Sequence, residues 1–147
     1  MTLGDFSDAS DSWQDGSYDV VAHEDVTGVG TQLRQCVEAP KTAGLDKYDS
    51  SVQTLRLNLG HKYESLKFKV ALENNSAVDR TLNVRVTDGS KQFGNITTVS
   101  FDEEASVEVP VKDRNAVFLQ FYATTSDDSS CSSGDSSIPV IYDIELD

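Results

Sequence analysis

Hydrophobic and polar residues alternate along most of this chain. Over residues 53–59, Leu55, Leu57 and Leu59 fall on one side and Thr54, Arg56 and Asn58 on the other. The same period sets Leu66, Phe68 and Val70 against Lys67, Lys69 and Ala71, and Leu82, Val84 and Val86 against Thr81, Asn83, Arg85 and Thr87. Successive side chains of an extended chain point to opposite faces, so this period predicts half-buried strands with one wet face. Asp88-Gly89 is a tight-turn signal leading to a strand over about residues 91–101. Val107, Val109 and Val111 alternate with Glu108 and Pro110, and the proline, which lacks an N–H, predicts a sheet edge. Residues 116–124 carry Val117, Leu119 and Phe121 on one face and Phe118 and Tyr122 on the other, which predicts a central strand covered on both sides. Residues 138–146 supply the last strand, and 17–22 and 31–37 two short early ones.

No window of ten residues holds a helical period. Strands spaced about ten residues apart with no helix between them predict an all-β chain folded as an antiparallel β-sandwich of jelly-roll type. Residues 38–50 and 125–137 are the long loops, and loops of this length on a β scaffold carry function. Residues 1–16 are rich in Asp and Ser with little to bury, and read as a flexible acidic leader to a sandwich domain over 17–147. Trp13, the only tryptophan, lies in that leader. The leader has no basic start and no long apolar run, so it is not a signal peptide, and the chain reads as a fragment of a larger protein.

Charge narrows the function. The chain has 147 residues, with 12 Lys and Arg against 25 Asp and Glu, for a net charge of −13. A surface this acidic excludes recognition of nucleic acid through its phosphates and docking on anionic lipid. A mean hydropathy of −0.39 leaves no segment apolar enough to enter a membrane. The charge sits at the two ends: residues 1–33 have seven acids and 115–147 six, neither stretch has a Lys or Arg, and the middle is neutral. Catalysis finds no support. His23 and His61 lie in different neighbourhoods, and no zinc-protease, nucleophile-elbow or phosphate-loop motif is present. The chain is therefore read as no enzyme, with no catalytic residue and no cofactor.

Residues 54–146 resemble a known family. TLRLNLGHKYESLKFKVAL (54–72) has an apolar strand, a Gly, a Lys-Tyr pair and an alternating strand. The loop Glu73-Asn74-Asn75, the Val84-Arg85-Val86 strand end, the Asp88-Gly89 turn and the Val109-Pro110-Val111 strand follow. This resembles the NPCBM modules, galactose-binding-like β-sandwiches attached to glycoside hydrolases and also found in secreted and surface-anchored bacterial proteins. The resemblance implies a galactose-binding-domain-like sandwich that serves as a non-catalytic recognition module, carbohydrate-binding, in an exported or surface-anchored bacterial protein. The alternative is a protein–protein interaction or spacer domain with no sugar ligand. The partner is then a glycan or a surface protein, the location extracellular or cell-surface, and the domain a monomer.

Sugar recognition needs an exposed aromatic face and polar side chains that bond hydroxyls. Tyr48 in the 38–50 loop, Asn74 and Asn75 are the candidates for ligand binding. In an extracytoplasmic domain, Cys36 and Cys131 can pair in only one way, and first and last strands tend to be neighbours in sandwiches of this type, so they are expected to form a disulfide. Asp25 would approach Asp127 and Asp128 by the same adjacency, and a Ca²⁺ ion, which such sandwiches often carry, is one way to hold these carboxylates together.

Overall fold

In the computed structural model, which describes residues 2–9, 13–33, 52–76, 80–88, 94–125 and 137–147, the alternating segments pair as antiparallel strands in two five-stranded sheets. One sheet runs β1 (Asp8–Ala9), β4 (Gln53–Asn58), β9 (Ala116–Thr125), β6 (Arg80–Thr87), β7 (Thr97–Ser100). The other runs β2 (Gln14–Val20), β3 (His23–Gly30), β10 (Pro139–Leu146), β5 (Ser65–Leu72), β8 (Glu104–Pro110). The β-sandwich expected from the period is the fold, with β9 in mid-sheet between β4 and β6, and the proline-bearing β8 at an edge.

The apolar side of each period faces the other sheet. Leu55, Leu57, Leu82, Val84, Leu119 and Phe121 of the first sheet meet Leu66, Phe68, Val70, Val107 and Ile141 of the second in one buried cluster. Each large side chain so buried contributes about 1.5–3 kcal/mol. Register fixes the contact, as in Leu55 opposite Leu119 and Val70 opposite Ile141. A one-residue slip would turn every leucine outward.

Three features depart from the sequence reading. Much of the acidic leader is built into the sandwich. Phe6 and Trp13 are buried, the indole packs edge-on to Phe121 with centroids 5.2 Å apart, and β1 pairs with β4. Two large apolar side chains anchor a segment whose average composition is that of a linker. Next, β3 occupies His23–Gly30, a stretch whose glycines break the alternation, whereas the described part of the strand expected over 31–37 holds a single bridge, Leu33 to Ser137, and one hydrogen bond from the Thr31 N–H to the Pro139 carbonyl. Residues 34–37 lie outside the described residues.

The third departure is that the polar side of the first sheet is not wet. Arg85, Gln120, Tyr122, Asn83 and Thr87 face away from the core, yet all are buried. A Gln120 side-chain oxygen accepts from Arg85 Nε at 2.8 Å and from its Nη2. Asn83 donates to the Thr124 hydroxyl at 3.0 Å. Burial lowers the pKa of the Arg85 guanidinium and raises that of the Tyr122 phenol.

The outer face of the second sheet is covered differently. β3 pairs with β10 only at Val29 and Gly30. The β2–β3 hairpin then leaves the sheet and crosses its outer face, so that Val20 bridges to Glu73. Val20, Ala71, Val140 and Tyr142 form a second, small apolar cluster beneath it. The crossing explains the glycine at position 28. A Cβ there would stand 2.6 Å from the Ile141 carbonyl oxygen, closer than any real contact.

Candidate functional site: the Tyr18 cleft

The hairpin that crosses the second sheet leaves a cleft of about 280 Å³ at one end of the sandwich. Gln14 and Tyr18 form one wall from β2, and Thr31, Gln32, Glu73 and Ile138 the other, from the segments that follow β3 and β5 and precede β10. Gly30 lies between the walls. A Cβ at residue 30 would come within 2.7 Å of Tyr18 Cζ, so the phenol ring packs directly on backbone. Its hydroxyl donates to the Gln14 carbonyl at 2.9 Å, which fixes the ring. Burial holds the Tyr18 phenol above its ordinary range, a hydrogen bond with Gly30 backbone opposes this, and the charges of Glu73 and Asp15 add to it. Tyr18 is therefore neutral across the physiological range, an aromatic surface with a polar rim.

The polar groups around the ring have the chemistry of hydroxyl recognition. Gln14 and Gln32 offer amides that both donate and accept, and Glu73 a carboxylate that accepts. Thr31 is 3% exposed, and its hydroxyl has no hydrogen-bond partner among the described residues. A buried hydroxyl left this way is costly unless water or a ligand satisfies it.

The structure places the residues singled out from sequence as follows. Asn74 and Asn75 sit beside Glu73 at the rim. Asn74 ties the hairpin down: its backbone N–H donates to the Asp19 carbonyl at 2.9 Å and its side chain to the Val21 carbonyl at 3.2 Å. Asn75 donates to Glu73 Oε1 at 2.9 Å and so orients the carboxylate that lines the cleft. Asp25 lies on the exposed side of the hairpin, where its N–H donates to Asp19 Oδ1 at 3.0 Å. Tyr48, Asp127, Asp128, Cys36 and Cys131 lie outside the described residues. Among the described residues no group of three His, Cys, Asp or Glu side chains is placed to hold a metal ion.

Sequence reasoning passed over Tyr18, Gln14 and Gln32. The signal was Gly28-Val29-Gly30. Two glycines on one face of a strand mark a close approach of another backbone or ring, and here Tyr18 fills the second.

The comparisons with known proteins bear on this geometry. No family model and no curated protein matches the chain. Among solved structures, it is similar to CBM51 from Clostridium perfringens GH95 in complex with methyl-galactose, at 16% identity and a TM-score of 0.56, over 97% of this chain and 94% of that one. It is also similar to CBM51-2 in complex with GlcNAc, part of a structure with the INT domains of Clostridium perfringens ZmpB, at 11% identity and a TM-score of 0.56. There it covers 99% of this chain and 31% of that longer one. A structure of the M60 catalytic domain with CBM51-1 and CBM51-2 of the same ZmpB matches at 10% identity and a TM-score of 0.51, over 97% of this chain and 14% of that one. The chain thus shares the two-sheet β-sandwich fold of these carbohydrate-binding module structures.

Proposed function

We propose that this chain is a non-catalytic carbohydrate-recognition module whose sugar sits in the Tyr18 cleft. The observation that carries the reading is the pairing, in one cleft, of a ring fixed on backbone with hydroxyl-bonding groups of both kinds. A pyranose presents an apolar C–H face and a ring of hydroxyls, and Tyr18 suits the first while Gln14, Gln32 and Glu73 suit the second. Because Gly30 and the Gln14 carbonyl hold Tyr18 before any ligand arrives, little ordering cost opposes binding. The complexes with methyl-galactose and GlcNAc formed by proteins of the same fold support a small neutral hexose as the ligand class. A module of this kind acts outside the cell or at its surface, as one part of a larger protein.

A glycan microarray followed by calorimetry on the best binder tests the reading. Affinity in the millimolar to micromolar range is expected, and Tyr18→Ala should weaken it at least tenfold, about 1.4 kcal/mol. Retention of only protein partners on the array and in pull-downs, with no glycan bound, would instead assign the domain to protein–protein contact.

A further inference from the structure

A second cleft, of about 360 Å³, opens toward the other end of the sandwich on the outer side of the first sheet, and it holds Arg56, a cation with no carboxylate partner among the described residues. Arg56 of β4 and Phe118 of β9 are register partners, and the guanidinium carbon lies 5.5 Å from the ring centroid. Among the described residues Arg56 has no carboxylate partner, and its Nε is buried with no hydrogen-bond partner. We propose that this cleft is a binding site for an acidic sugar, with the carboxylate of a uronic acid on Arg56 and its ring against Phe118.

The neighbouring charges favour that assignment. With Nε buried, the terminal Nη groups of the guanidinium are the donors left to a ligand, and their fork matches a carboxylate oxygen for nitrogen. Arg114, the other cation of the cleft, is already paired with Asp88 at 2.9 Å, so the two cancel. Asp8, the register neighbour of Arg56 on β1, turns Oδ1 to the Ala9 amide at 2.9 Å. Asp113 and Asn115 remain, both exposed on the turn that lines the cleft. The Asp113 carboxylate repels a polyanion but accepts from hydroxyls, which selects a single carboxylate on a hydroxylated ring. The turn is fixed in advance: the Asn115 carbonyl accepts from the N–H groups of Leu59 and Gly60, the Arg114 carbonyl from that of His61, and His61 Nδ1 lies 3.0 Å from the Asp113 carbonyl oxygen.

The inference does not rest on the Tyr18 cleft, and its test removes that cleft. Calorimetry in the Tyr18→Ala background compares methyl galacturonoside, methyl galactoside and cyclohexanecarboxylate. The galacturonoside is expected to bind about tenfold tighter than either, and to weaken several-fold between about 50 and 500 mM NaCl. Arg56→Gln should abolish that preference, and Arg56→Lys, which keeps the charge without the fork, should retain only part of it, with thermal unfolding of both variants unchanged. Equal affinity for acidic and neutral sugar, full binding in Arg56→Gln, or binding of the plain ring acid as tight as that of the uronoside would each overturn the assignment.

Discussion

The two sheets of this sandwich turn similar strands outward to opposite ends. On the first sheet the outward residues Asn83, Arg85, Gln120 and Tyr122 are polar, and they are buried. On the second, the outward residues under the hairpin are Val20, Ala71, Val140 and Tyr142, an apolar layer, while beyond it Lys67 and Lys69 stand half exposed beside Asp147 and Asp143. Alternation along a strand says which side chains face the core. It does not say whether the other side meets water, because that depends on what chain crosses it. Where a hairpin crosses, a glycine and an aromatic ring can be pressed together and a cleft results. Where polar groups are buried instead, each needs a partner, and the face becomes a hydrogen-bonded layer.

The comparison breaks most sharply at Gln120. Replacing it with Leu removes the Gln120 acceptor from the buried Arg85 guanidinium, and urea unfolding should register a loss of about 2–3 kcal/mol. A loss within a few tenths of a kcal/mol would mean that the buried polar layer holds little stability. On the second sheet, Gly30→Ala drives a methyl against the Tyr18 ring and should cost about 1–2 kcal/mol, with sugar binding lost alongside. Unchanged stability together with unchanged binding would separate Gly30 from the cleft.

Alkaline pH probes the apolar layer. Burial raises the Tyr142 pKa, and the bond its hydroxyl donates to the Glu104 carboxylate and the charges of Glu104 and Asp143 raise it further. Above the ordinary tyrosine value near 10 the unfolded chain loses a proton that the folded chain keeps. Stability is then full below about pH 10 and falls as pH rises beyond it. Denaturation followed at stepped pH should show this fall, and Tyr142→Phe should make it shallower, the raised Tyr18 and Tyr122 phenols carrying the rest; an identical slope in the variant would contradict the part given to Tyr142. The smallest effect belongs to the exposed pair Lys69–Asp143 at 3.5 Å, where Lys69→Met should change stability by no more than about 0.5 kcal/mol.

The strands that carry large aliphatic residues every second position, β4, β5, β6 and β9, were legible in the sequence because the core itself imposes that period. Phe6, Trp13 and β3 were not. A leader rich in Asp and Ser is anchored by two side chains that composition averages away, and Val26, Gly28 and Gly30 on one side of β3 look nothing like an aliphatic face. Of the residues around the cleft, the sequence reading named Asn74 and Asn75, which follow Glu73; in the structure they clamp the hairpin and orient the carboxylate. Tyr18 was hidden because its place depends on a crossing between segments more than fifty residues apart, which no local pattern records.

The most direct test of sugar recognition at this cleft is a backbone amide NMR titration with methyl galactoside. The shifts are expected to concentrate at Gln14, Tyr18, Gly30, Gln32 and Glu73, and to vanish in Tyr18→Ala. Saturable shifts confined to other parts of the sandwich, with these five residues silent, would contradict it.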